Sequence, residues 1–107
     1  ISISDYLTSS SFFYLGMVKY MNASPSVYVY SLVLLDRAQE FNPNFKIHKK
    51  NIHRLLLTSA LVSAKYIDDL FYKNSFYANV GGVSLKVLNE LELEFLHLIN
   101  FNCHVET

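Results

Sequence analysis

Apolar positions recur along this chain at spacings of three and four, and turn residues cut the pattern into five stretches of helical length. The first ends near Met21-Asn22, with Phe13, Met17 and Tyr20 on one face. Ser9-Ser10-Ser11 either caps it or interrupts a longer helix. The second opens at Ser24-Pro25, an N-cap followed by proline at the first helical position. Its run Val27 to Leu35 also suits a strand, because it is rich in β-branched and aromatic residues. Helix is the better reading, because Asp36 to Phe41 continues without a break and Val27, Ser31, Leu34, Ala38 and Phe41 keep helical period. Asn42-Pro43 stops it.

The third stretch, about Lys50 to Leu70, contains Leu55 to Ala64, which is apolar or small all the way round and carries no charge. Such a helix is surrounded by others, and its small residues let neighbouring axes approach closely. A short fourth helix is expected to be capped by Ser75 and closed by Gly81-Gly82, where glycine supplies a left-handed turn. The fifth opens at Ser84 and carries a stripe at Leu88, Leu91, Phe95 and Leu98. The pattern predicts an all-α domain of five helices with a buried third helix at its centre, and argues against any sheet.

Composition narrows the function. The 107 residues are 51% hydrophobic and 15% aromatic, enough for one compact domain spanning 1–107. Nine basic residues balance nine acidic ones, so the basic footprint of a nucleic-acid binder is missing; Lys49-Lys50 with Arg54 is the best local patch, and it is small. The longest apolar run, Val27 to Leu35, is far short of the ~20 residues that span a bilayer. No membrane or nucleic-acid partner is therefore expected. One cysteine, Cys103, rules out an internal disulfide framework and suits a reducing compartment. The chain begins with Ile, so it is read as a fragment of a longer protein.

No enzyme constellation emerges. His48 and His53 are five apart and share a helix face poorly. Glu94-x-x-His97 is half of a di-iron helix motif whose second copy is missing, so no metal is expected. Cys103 has no positioned base, and Gly81-Gly82 is a helix stop, not a phosphate loop. No cofactor or small-molecule substrate is expected.

Three charges stand out against their apolar surroundings. Lys65 closes the uncharged stretch of the third helix. It either complements the helix C-terminus, paired with Asp68 or Asp69, or faces a partner. Glu92 lines up with Leu85, Leu88, Leu96 and Ile99, and either meets water at the edge of that stripe or is paired at an interface. Asp36 follows nine uncharged residues and reads as a structural charge, a core-edge ion pair or cap.

The order of segments resembles a known family. Leu34-Leu35-Asp36-Arg37 resembles the Y-I-D-R signature of the cyclin box. Asn51 to Lys65 is similar to the N-V-H-R-L-L-x-T-S-x-M-V-A-A-K third helix of PHO-type (P/U-type) cyclins. Tyr77 to Ser84 and Leu88 to Leu96 resemble that subgroup's Y-A-K-V-G-G-V-S and L-N-R-L-E-L-E-F-L. Asn100-Phe101 fits the end of the fifth helix. The resemblance covers about residues 19 to 102. It implies a five-helix cyclin box: a non-catalytic subunit that binds and activates a cyclin-dependent protein kinase of the PHO type. It further implies that Lys65 and Glu92 touch the kinase beside its C helix, with Leu61, Leu88 and Leu96 as the apolar patch between them. A cyclin-box adaptor without kinase activation is the alternative. Whether the output is cell division or phosphate signalling is left open. The first helix departs from the subgroup's pattern, because Gly16 stands where an arginine usually pairs with the aspartate corresponding to Asp36.

Overall fold

The computed structural model describes residues 19–21, 23–68 and 71–104. Among the described residues there are five helical segments: α1 (19–21), α2 (Pro25–Phe41), α3 (Ile52–Ile67), α4 (Asn74–Gly81) and α5 (Leu85–Leu98). Among the described residues there is no strand. The architecture is all-α, and α3 lies at its centre, packed against α2, α4 and α5. The expected inward face through Phe13 and Met17, the Ser9–Ser11 segment and the position of Gly16 lie outside the described residues. Tyr20 is 71% exposed while Met21 is buried, so the inward stripe of α1 passes through Met21.

The central helix shows why an all-round apolar sequence needs neighbours on every side. Every residue from Leu56 to Ala64 is buried. Three of them carry hydroxyls, and each bonds back onto the helix itself. Thr58 Oγ1 donates to the Arg54 carbonyl at 2.6 Å, Ser59 Oγ to Leu56 at 3.1 Å and Ser63 Oγ to Ser59 at 2.7 Å. The polar atoms are thus satisfied without any partner helix. Apolar contacts come from Leu56, Leu57, Ala60, Leu61, Val62 and Ala64, which share one core with Val27, Leu34, Leu35 and Ala38 of α2 and Leu88 and Phe95 of α5.

The helix ends explain the connections. Ser24 and Pro25 start α2 as expected, but the Ser24 side chain does not cap its own helix. Its hydroxyl donates to Asp68 Oδ1 at 2.8 Å and its backbone N–H to Oδ2 at 3.3 Å, tying the start of α2 to the end of α3. Asn42 ends α2 and its amide nitrogen donates to the carbonyls of Ala38 (2.8 Å) and Leu98 (2.6 Å), which joins α2 to α5. The N-cap of α4 is Lys73, not Ser75, which lies inside the first turn. Ser84 caps α5 as its sequence predicts, accepting from the Val87 N–H at 3.1 Å.

The two glycines at the end of α4 serve different needs. Gly82 has φ +69°, a left-handed conformation that costs an L-residue roughly 1–2 kcal/mol. Gly81 is helical, and a Cβ there would collide with the buried side chain of Leu57. It is a close-approach residue, needed where α4 crosses α3.

Candidate functional site: a paired charge at the α3–α5 groove

The last turn of α3 and the middle of α5 bring the two predicted charges together. Lys65 Nζ donates to Glu92 Oε2 at 2.8 Å and to Oε1 at 3.1 Å. Neither side chain is fully withdrawn from water, at 29% exposure for Lys65 and 18% for Glu92. The lysine therefore does not pair with Asp68, whose carboxylate is taken by Ser24; Asp69 lies outside the described residues. Nor do the two charges wait on another protein for their first partner, because each completes the other.

Asn74, the first residue of α4, was not singled out by the sequence. Its amide nitrogen donates to Glu92 Oε1 at 3.0 Å and to Asn89 Oδ1 at 2.8 Å, so α4 helps hold the carboxylate toward the lysine. Its own Oδ1 is buried without a partner among the described residues. An exposed ion pair contributes ~0.2–1 kcal/mol, and this one is partly screened by water. Its main effect is geometric: it fixes a bidentate charge pair at the rim of a groove.

That groove, about 220 Å³, is lined by Val62, Lys65, Tyr66, Glu92, Leu96 and Cys103. Tyr66 is half exposed and stacks at a tilt on Tyr30, with ring centroids 5.8 Å apart. Cys103 reaches the groove because the chain turns back after α5. Asn100 and Phe101 both adopt left-handed backbone, at φ 54° and 55°. The returning segment is pinned to α2 by Tyr30, whose hydroxyl donates to the Cys103 carbonyl at 2.6 Å, and by Arg37, which donates to the Asn102 carbonyl at 2.7 Å. Burial pushes the Cys103 thiol up, an effect partly offset by the Arg37 charge. The protonated thiol is the weaker nucleophile, so Cys103 serves as an apolar wall.

The leucines expected at the surface divide. Leu96 lines the groove and is partly buried. Leu61 and Leu88 are fully buried, which corrects their expected place in a contact patch. Both belong to the core that α3 and α5 share with their neighbours.

Asp36 is exposed on α2, and among the described residues it joins no ion pair. Partial desolvation of its carboxyl, then repulsion from Glu40 one turn on, raises its pKa above the usual carboxylate value. The folded state therefore disfavours the anion relative to the unfolded chain. Asp36 lowers stability at neutral pH, and that loss disappears as the pH falls through the raised folded pKa. Asp36→Asn is expected to melt at the same temperature as the parent or slightly higher at neutral pH, and to lack the parent's relative gain on acidification toward about pH 4. Thermal melts of both forms across that interval provide the check. A neutral-pH melting temperature lowered by the substitution would reveal a stabilising partner for the carboxylate.

Among the described residues no three His, Cys, Asp or Glu side chains cluster as a metal site. No helix among them is long and apolar enough to cross a membrane.

An all-helical domain with a buried third helix is consistent with a cyclin-box fold. A model of the cyclin family aligns with residues 1–103, and the chain belongs to that family. The relatives it matches include U-type and P-type plant cyclins. It is 50% identical to Cyclin-U2-2 of Arabidopsis thaliana over 93 residues, covering 86% of this chain and 40% of the relative. It is 49% identical to Cyclin-U4-1 of Arabidopsis thaliana over 105 residues, covering 98% of this chain and 48% of the relative. With Cyclin-P4-1 of Oryza sativa subsp. japonica the identity is 40% over 105 residues, 98% of this chain and 46% of the relative. The chain thus spans less than half the length of these relatives.

Proposed function

We propose that this cyclin box is a non-catalytic regulatory subunit that binds and activates a cyclin-dependent protein kinase of the PHO type, through the groove edged by Lys65 and Glu92. The observation that carries the reading is the bidentate pair itself. A kinase helix laid across the groove would meet Val62, Tyr66 and Leu96 as apolar contacts, and on its rim a cation and an anion already fixed in position. Preorganised charges favour one orientation of a partner more than they add raw affinity. Phe101, 56% exposed and held in a conformation that is strained for a bulky residue, adds a second aromatic beside the returning segment.

Activation requires only that the groove bind the active arrangement of the kinase better than the inactive one. That arrangement depends on the position of the kinase's C helix, which carries the glutamate of its own Lys–Glu pair. The family membership and the paired charges support this reading, which places the protein inside the cell, in the nucleus or cytoplasm. Capture with the full-length protein, followed by a phosphotransfer assay on the co-purified kinase, tests it. Co-purification with a raised phosphotransfer rate is expected. A stable kinase complex whose rate does not rise would instead make the protein an adaptor.

A further inference from the structure

Lys46, Lys49, Lys50 and Arg54 are four of the chain's nine Lys and Arg residues, and no acidic residue lies between Glu40 and Asp68. All four are exposed, and among the described residues none joins an ion pair. The overall neutrality of the chain conceals this local concentration. The loop that carries most of it is held in place. Asn51 Oδ1 accepts from the His48 N–H and its amide nitrogen donates to the Lys46 carbonyl, both at 2.9 Å, and the Lys50 N–H donates to His48 Nδ1 at 3.1 Å. Asn51 thus closes the loop into the start of α3 and makes no side-chain cap to the helix.

Lys50 and Arg54 stand on a ridge between two clefts. The larger, about 410 Å³, lies between the start of α3 and α5, with Phe45, Leu55, Leu91, Phe95 and Leu98 among its lining residues. The smaller, about 300 Å³, runs from the same two cations to the Gly81–Val83 turn. The larger falls within the ~300–1,000 Å³ typical of ligand clefts. On α5 it uses the stripe Leu91, Glu94, Phe95 and Leu98, while the Lys65–Glu92 groove uses Glu92 and Leu96. The two sites share no lining residue.

We propose that this cleft docks an acidic peptide segment of a partner protein, with a large apolar side chain against Phe45 and Leu55 and carboxylates against Lys50 and Arg54. Glu94 on the opposite wall repels an anion there, which gives the site a direction: the peptide's charge must sit on the α3 side. A peptide fits better than a nucleic acid. The cationic stretch is short, and an apolar wall and a carboxylate border it where a phosphate backbone would need further cations. On the proposed kinase arrangement, which uses the groove at Lys65 and Glu92, the cleft would remain available to a second partner.

Fluorescence anisotropy on the full-length protein tests the proposal. The probe is a labelled peptide with one phenylalanine flanked by glutamates. Its Phe→Ala and Glu→Gln counterparts and a short single-stranded RNA serve as comparisons. Saturable binding of the probe is expected, weakened about tenfold by Lys50→Glu or Arg54→Glu and strengthened by Glu94→Lys. All three substitutions are at exposed positions, so melting temperatures near the parent's are expected to accompany these changes. Both comparison peptides are expected to lose affinity. The proposal is overturned if the probe does not saturate, if Lys50→Glu and Arg54→Glu leave its affinity within twofold, or if the Phe→Ala peptide binds as well as the probe. Tighter binding of the RNA at the same residues would also overturn it, in favour of a plain polyanion surface.

Discussion

Exchanging the two charges of the groove, in Lys65→Glu/Glu92→Lys, is expected to preserve the fold and to weaken kinase association at least about thirtyfold. The two side chains are directly bonded across α3 and α5, so a swap keeps an attractive pair between the helices. Because the pair is partly solvated, the change in stability should stay within about 1 kcal/mol. At the proposed interface the same exchange would reverse both charges that the kinase meets. Losing a matched interfacial charge costs roughly 2–5 kcal/mol, a factor of about 30 to several thousand in affinity. The single substitutions separate the two roles less cleanly. Lys65→Glu would set two carboxylates against each other beside Asn74, loosening α4 and α5 as well as the interface. Thermal melts combined with a binding titration decide the matter. A swapped protein that melts normally and still binds the kinase would show that the pair is only an internal brace.

Leu61→Ala is expected to destabilise the domain by about 2–5 kcal/mol while leaving the affinity of the folded fraction unchanged. Leu61 is fully buried in the core that α3 shares with its neighbours. Against a typical total stability of ~5–15 kcal/mol, the loss would leave a sizeable unfolded fraction on warming. Leu96→Ala should behave in the opposite way, with a modest stability change and weaker kinase binding, because Leu96 lines the groove. Denaturant unfolding gives the first quantity, and a titration scaled to the folded fraction gives the second. Weakened binding by Leu61→Ala at unchanged stability would mean that this leucine reaches the surface when the kinase binds.

Those two leucines show where sequence patterning stops. The period along α3 and α5 identifies Leu61, Leu88 and Leu96 as apolar, and the uncharged run from Leu55 to Ala64 marks a helix buried on all sides. Period alone does not say which side of a stripe faces a neighbouring helix and which faces a groove. That depends on how α3 and α5 cross. The same limit hid the Lys65–Glu92 bond, whose partners are 27 residues apart, and the Ser24–Asp68 bond, whose partners are 44 apart. In both cases a local reading offered a nearer partner: Asp68 for Lys65, and its own helix for Ser24. Local chemistry was legible where it is self-contained. Ser84 caps α5, Gly82 turns left-handed, and Asn42 ends α2. The third-helix and Val-Gly-Gly blocks carried the family assignment because they are long and ordered. The basic ridge was visible as residues but looked minor, since its significance comes from the clefts on either side of Lys50 and Arg54.

Amide hydrogen exchange on the full-length protein, alone and with its captured kinase, shows which face the kinase covers. Slowed exchange on kinase binding is expected in the last turn of α3 around Val62–Tyr66, along α5 around Glu92–Leu96 and in the segment Phe101–Cys103, with the loop at Lys46–Asn51 unchanged. Slowed exchange confined to that loop and the start of α3, with the Lys65–Glu92 groove exchanging as in the free protein, would contradict the proposed interface.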